Sequence, residues 1–103
     1  MSVPPPEQNP QTWLITGCSR GLGREIALAA LARGDRVIAT ARRQSDLVYL
    51  ENKTRALTLQ LDVCEEEDSI RSKVEAAIKT VGNIDVLVNN AGFVVAGVWE
   101  ELR

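Results

Sequence analysis

The sequence contains no histidine. That excludes serine–histidine and cysteine–histidine nucleophile systems, and it removes a principal zinc ligand, so no zinc centre is expected. Cysteine is scarce. Cys18 and Cys64 are the only two, and they do not form a C-x-x-C redox or metal spacing. Aromatic residues are limited to Trp13, Tyr49, Phe93 and Trp99, and the net charge is −2. The chain therefore lacks both the stacking surface and the positive balance that nucleic acid or an anionic membrane would call for. Long hydrophobic runs are missing too: the longest apolar-or-glycine stretch, residues 91–99, is too short to cross a bilayer. The N-terminus has no basic stretch leading into an apolar one, which argues against a secretory signal. The expected location is cytoplasmic, with thiols reduced.

What remains is the composition of an ordinary soluble chain, and 103 residues leave room for one small domain at most. Residues 1–11 hold three consecutive prolines, Pro4, Pro5 and Pro6, and read as a disordered, polar lead-in outside the fold. From residue 12 onward strand and helix patterns alternate. Residues 13–16 read as a first strand, and residues 21–33 as a helix that Gly34 stops just past a basic last turn. Residues 35–40 read as a second strand and residues 45–52 as a short, weakly amphipathic helix. Leu57, Leu59 and Leu61 alternate with Thr58 and Gln60, the period of a strand with one wet face at a sheet edge. Ile70, Val74, Ala77, Ile78 and Val81 recur at helical spacing. The acids at 65–68 sit at that helix's N-terminus, where its dipole favours them, and need no catalytic role. Residues 84–88, apolar but for Asp85, read as a strand of sheet-centre type. Strands separated by helices pair in parallel through right-handed crossovers. The expected fold is thus α/β: an incomplete, Rossmann-like doubly wound sheet of four strands in the order 3-2-1-4.

The segment Thr16-Gly17-Cys18-Ser19-Arg20-Gly21-Leu22-Gly23 lies between the first strand and the first helix. A strand, a glycine-rich turn and a helix in that order gather free backbone N–H groups and a helix dipole in one place, which favours a phosphate. Gly17 is suited to a backbone conformation other residues resist, Gly21 to close approach of a pyrophosphate, and Gly23 to packing of helix on strand. The spacing is neither G-x-G-x-x-G nor a P-loop, whose lysine and hydroxyl positions hold Gly23 and Arg24. Asp62 follows the third strand, where a carboxylate faces the ligand crevice and can accept from an adenine amino group; alternatively it is an acid in a turn before a helix. Asn89-Asn90-Ala91-Gly92 follows the fourth strand. Its small residues let backbone pass near a ribose and its amides can tie strands together, although such a tetrad is also an ordinary turn.

Taken together, T-G-x-x-x-G-x-G, Asp62-Val63 and Asn89-Asn90-Ala91-Gly92 resemble the short-chain dehydrogenase/reductase superfamily over residues 12–103. The resemblance implies that Gly17, Gly21 and Gly23 belong to the cofactor turn, with Ser19, Arg20 and Leu22 between them. It implies that Asp62 and Val63 contact adenine and that Asn89, Asn90, Ala91 and Gly92 serve sheet and cofactor. Gly97 falls where many members carry glycine. It further implies hydride transfer between a nicotinamide and a carbonyl or alcohol, by a tyrosine and lysine spaced Y-x-x-x-K with a serine upstream, all placed beyond the N-N-A-G segment. This chain does contain Tyr49-x-x-x-Lys53, but between the second and third strands, on the adenine side, where a tyrosine cannot reach substrate beside a nicotinamide.

An acid at the end of the second strand would select NAD, and an arginine NADP. Here Arg42 and Arg43 follow that strand and Arg20 stands in the turn, so NADP(H) is expected over NAD(H); the alternative is that Arg20 and Arg42 are solvated loop residues. With no catalytic group at the family's positions, the chain reads as the N-terminal cofactor-binding part of a reductase, inactive by itself. The small-molecule substrate would then belong to a full-length parent. The open apolar edge at residues 86–88 would make the isolated piece marginal and prone to edge-strand association or aggregation. A stand-alone dinucleotide-binding or interaction module is the alternative.

Overall fold

A computed structural model of the chain describes residues 10–62 and 64–91. The lead-in at 1–9, Val63, Gly92, Gly97 and the rest of the C-terminal stretch lie outside the described residues. The element order is β1 (Thr12–Ile15), α1 (Gly21–Ala32), β2 (Arg36–Ala41), a 3-10 helix (Gln44–Leu50), β3 (Ala56–Gln60), α2 (Glu67–Val81) and β4 (Val86–Val88). All strand pairs are parallel, and the sheet order is β3-β2-β1-β4, as the strand–helix alternation predicts.

The period-two patterning sorts the side chains onto two faces. Leu14, Ile38, Leu57, Leu59 and Leu87 meet Ile70, Val74 and Ala77 of α2 on one face. Trp13, Ile15, Val37, Ala39, Ala41 and Val88 meet Ala27 and Ala30 of α1, with Leu47 and Leu50 of the 3-10 helix, on the other. The α1 face is built from small residues, so this helix lies close to the sheet. The α2 face is built from Ile, Val and Ala. Burying each of the larger apolar side chains contributes about 1.5–3 kcal/mol.

Element boundaries shift by a residue or two from the sequence reading. Ile84 is buried in the core, but the strand begins only at Val86, because the Asp85 N–H donates to Thr12 O (2.8 Å) while Asp85 Oδ2 accepts from the Thr12 N–H (2.8 Å). Arg33 lies at the C-cap of α1 instead of its last turn, and reaches Asp35 at 3.6 Å. Gly34 follows at φ +94°, the left-handed conformation that ends a helix. The segment expected as a short helix is of the tighter 3-10 type and starts at Gln44. The face of β3 expected to be wet is partly covered, since Gln44 Nε2 donates to Thr58 Oγ1 (2.5 Å) and Gln60 Nε2 to Arg42 O (3.0 Å). Gln11 is tied down: its N–H donates to Asp35 Oδ1 (3.0 Å) and its carbonyl accepts from Arg36 N–H (2.9 Å). Among the described residues β4 pairs with β1 alone and is half-buried.

Single hydrogen bonds continue the ladder past the strand ends. Thr16 N–H donates to Val88 O (3.0 Å), Cys18 N–H to Thr40 O (2.8 Å) and Leu61 N–H to Ala41 O (2.9 Å). The loops at the carboxyl edge of the sheet are thereby fixed against one another, and that edge is where ligands sit in open α/β sheets.

Candidate functional site

The turn between β1 and α1 is shaped by its glycines. Gly17 and Gly21 take φ of +68° and +63°, a region that costs other residues about 1–2 kcal/mol. Gly23 is required for a different reason. A Cβ there would overlap the Gly17 carbonyl and stand 2.9 Å from Asn90 Nδ2. The first turn of α1 is therefore seated against the turn's own backbone, not only against the strand as its position in the motif suggests. A Cβ on Gly21, by contrast, would meet no protein atom within 4 Å, so the space beside it is open.

The loop after β4 locks onto this turn. Thr16 is buried, and its Oγ1 accepts from the Ala91 N–H (2.9 Å) and bonds Asn89 Oδ1 (3.2 Å). Asn90 Nδ2 donates to Gly17 O (3.1 Å). The asparagines thus tie the ends of two strands together, as the tetrad suggests.

Helix α1 begins without a side-chain cap: Arg20 at the N-cap makes no such bond, and the first turn carries no acid. Among the described residues its N-cap gives the leading N–H groups no side-chain acceptor. Helix α2 differs, since Glu67 and Asp68 occupy its first turn.

A cavity of about 590 Å³ opens beside the uncapped end. Gly17, Ser19 and Arg20 of the turn line one side, and Ala91 closes it from the β4 loop. Ala41, Arg42, Arg43 and Asp46 line the other side, above Leu61. Three arginines and one aspartate are thus among the lining residues, a balance suited to an anion. These donors and this open space fit a dinucleotide.

Of the residues singled out in the sequence, Gly17, Ser19, Arg20, Arg42 and Ala91 line this cavity. Gly21, Gly23, Asn89 and Asn90 shape the turn and its lock without lining it. Leu22 is 67% exposed at the start of α1, an unusual setting for leucine. Asp62 lies outside the cavity lining, next to Leu61. Its Oδ1 accepts from the Cys64 N–H (2.9 Å) and its N–H donates to Glu65 Oε1 (2.7 Å), so the turn role is realised. Burial works to raise the Glu65 carboxyl, but hydrogen bonds from Lys73, Ser69 and the Asp62 N–H outweigh it and hold the carboxyl below its ordinary range. Lys73 Nζ also donates to Gln60 O (2.9 Å), which braces the end of β3. Arg43, Asp46, Ala41 and Leu61 join the lining without a place in the motifs. Arg43 had a signal in its adjacency to Arg42; Asp46 had none before the path of the 3-10 helix was known.

Tyr49 is engaged within the described residues. Its hydroxyl donates to Cys18 O (2.5 Å), and the Arg24 guanidinium lies 4.4 Å from the ring centroid. Burial, helped by Cys18 and Glu25 and opposed by Arg24, pushes its phenol up to about 12. A proton donor for hydride chemistry needs the opposite shift. Cys18 is fully buried, its Sγ donates to Ile15 O (3.1 Å), and burial raises its thiol to about 11, so it is a packing residue.

Comparison with known proteins agrees with this architecture. The sequence model of the short chain dehydrogenase family matches residues 11–103. An oxidoreductase of Botryotinia fuckeliana is 43% identical over 93 residues, covering 87% of this chain and 34% of that protein. A metagenomic short-chain oxidoreductase solved in complex with NADP superposes with a TM-score of 0.71 at 33% identity, over 80% of this chain and 39% of that one. A 3-ketoacyl-(acyl-carrier-protein) reductase from Brucella melitensis complexed with NADH gives 0.67 at 28% identity, over 75% and 32%. The fold is the Rossmann-type doubly wound sheet, and the chain belongs to the short-chain dehydrogenase/reductase family. It spans about a third of the length of the relatives it matches.

Two predictions test this geometry. Gly-to-Ala inside a helix ordinarily gains about 0.5–1 kcal/mol, yet Gly23→Ala should lose about 1–3 kcal/mol in urea unfolding, because its Cβ overlaps the Gly17 carbonyl. A gain would show that the turn is not seated as described. The second concerns pH. Tyr49 moves from 10.0 to about 12 on folding, so the folded chain keeps a proton that the unfolded chain releases. Stability from this group is intact below about pH 10, falls as pH rises through that window, and levels off above about 12. Alkaline melting of the parent and of Tyr49→Phe should diverge there. Parallel curves would contradict the assignment.

Proposed function

We propose that this chain forms the cofactor-binding part of an NADP(H)-dependent short-chain dehydrogenase/reductase, which transfers hydride between the nicotinamide and a carbonyl or alcohol. The observation that carries the cofactor choice is the cavity bounded by Arg20 on one side and Arg42 and Arg43 on the other, with no acid at the end of β2. An acid there would grip a ribose 2′-hydroxyl and repel a phosphate. Solved family members hold either NADP or NADH, so preference rests on this chain's own side chains.

In this reading the uncapped start of α1, around Gly21, Leu22 and Gly23, receives the pyrophosphate. Arg20 and Arg42 clamp the 2′-phosphate, with Arg43 adding charge. Asp62 and Val63 approach the adenine, and Asn89, Asn90, Ala91 and Gly92 border the ribose. The bound cofactor supplies the hydride. The residues of this chain bind and orient it; proton donation to the substrate oxygen falls to groups outside this segment. No helix among the described residues is long and apolar enough to cross a membrane.

Removing one guanidinium from a phosphate costs about 1.5–3 kcal/mol. Arg42→Ala should therefore weaken NADPH binding about tenfold or more and leave NADH binding nearly unchanged, as read by fluorescence titration. Equal affinity for the two cofactors in the parent chain, unchanged in Arg42→Ala, would refute the preference.

A further inference from the structure

The two walls of the cavity belong to separate loops. The glycine turn carries Ser19 and Arg20; the segment after β2 carries Arg42, Arg43 and Asp46. Arg20 stands on one wall and Arg42 and Arg43 on the other, all three exposed. Two bonds to Cys18 join these loops: the backbone bond from its N–H to Thr40 O, at the end of β2, and a side-chain bond from the 3-10 helix. Tyr49, on the last turn of the 3-10 helix, crosses to the glycine turn and donates its hydroxyl to Cys18 O.

That bond fixes more than a distance. The Cys18–Ser19 peptide is trans, so its C=O and N–H point in opposite directions. Holding the carbonyl toward Tyr49 turns the Ser19 N–H away from the 3-10 helix. The other end of Cys18 is held by Thr40 O. Arg24, one turn into α1, lies over the Tyr49 ring and keeps it seated, and Leu47 and Leu50 anchor the 3-10 helix in the core. The tyrosine is thus tied to both walls and to the helix that begins at the turn.

We propose that Tyr49 is a positioning residue of the dinucleotide site: its bond to Cys18 O holds the wall bearing Arg42, Arg43 and Asp46 at a fixed spacing from the wall bearing Ser19 and Arg20, and so favours a 2′-phosphorylated cofactor. The inference rests on the NADP(H) reading above. The 2′-phosphate is the one group that both walls grip, so loosening the walls penalises NADPH and spares NADH. A merely structural tyrosine would weaken both alike.

The test is NADPH and NADH titration of the full chain, parent against Tyr49→Phe, which retains the ring and its contact with Arg24. Losing one neutral hydrogen bond corresponds to about a three- to tenfold loss; that loss is expected for NADPH, with less than about twofold for NADH. An equal loss for both, or none, overturns the proposal while leaving the NADP(H) reading intact. Failure of the parent to prefer NADPH overturns both. Tyr49 is the single tyrosine of this sequence, so meta-fluorotyrosine labels it alone and serves should Tyr49→Phe fail to fold. Saturation with NADPH should shift its fluorine resonance more than saturation with NADH. Equal shifts, or no shift with NADPH, would overturn the proposal.

Discussion

The seating of helix α1 on the carbonyl of Gly17 is the contact on which the rest of this site depends. Because Gly23 has no Cβ, the helix starts directly above the end of β1. That placement brings the uncapped N–H groups of the helix to the carboxyl edge of the sheet. It also leaves the Gly17 carbonyl free to accept from Asn90, which draws in the loop after β4. Thr16 completes the lock through Asn89 and Ala91. With the helix displaced outward, the cavity would lose its turn wall and the β4 loop its anchor.

Electrostatics give the site its sign. Helix α2 neutralises its own positive end with Glu67 and Asp68, whereas α1 does not. Arginines add to the uncapped end of α1 from two directions, and one aspartate, Asp46, tempers them. These groups are exposed, so solvent and salt screen them from one another, and the two loops are held by packing and hydrogen bonds. The buried packing of Leu47 and Leu50, the bond from Tyr49 to Cys18 O and the bond from the Cys18 N–H to Thr40 O hold them together.

Much of this was legible in the sequence because it depends on local pattern. The sheet order followed from strand–helix alternation, and the apolar face of α2 from its helical period. The glycine turn and the asparagine lock were legible as motifs. The parts that escaped depend on contacts between distant segments. Asp46 reaches the cavity only because the 3-10 helix folds back beside the glycine turn. Tyr49 and Lys53 have the spacing of a catalytic pair, yet the hydroxyl is spent on a carbonyl 31 residues away. Asp62 was open to two roles, and the contacts within the protein realise the turn role, since the Cys64 N–H lies within reach of its Oδ1. The start of β4 moved because the Asp85 side chain, not the backbone ladder, satisfies the Thr12 N–H.

The most direct test isolates the phosphate site from catalysis. Adenosine 2′,5′-bisphosphate and adenosine 5′-monophosphate differ only in the 2′-phosphate, and neither carries a nicotinamide. Calorimetric titration of the chain with each should show the bisphosphate binding at least about tenfold tighter, since each tenfold step needs only about 1.4 kcal/mol. The advantage should shrink as salt screens the arginines. Equal affinity for the two ligands would mean that the arginine-lined cavity does not read the 2′-phosphate, and the role assigned to Arg20, Arg42 and Arg43 would be wrong.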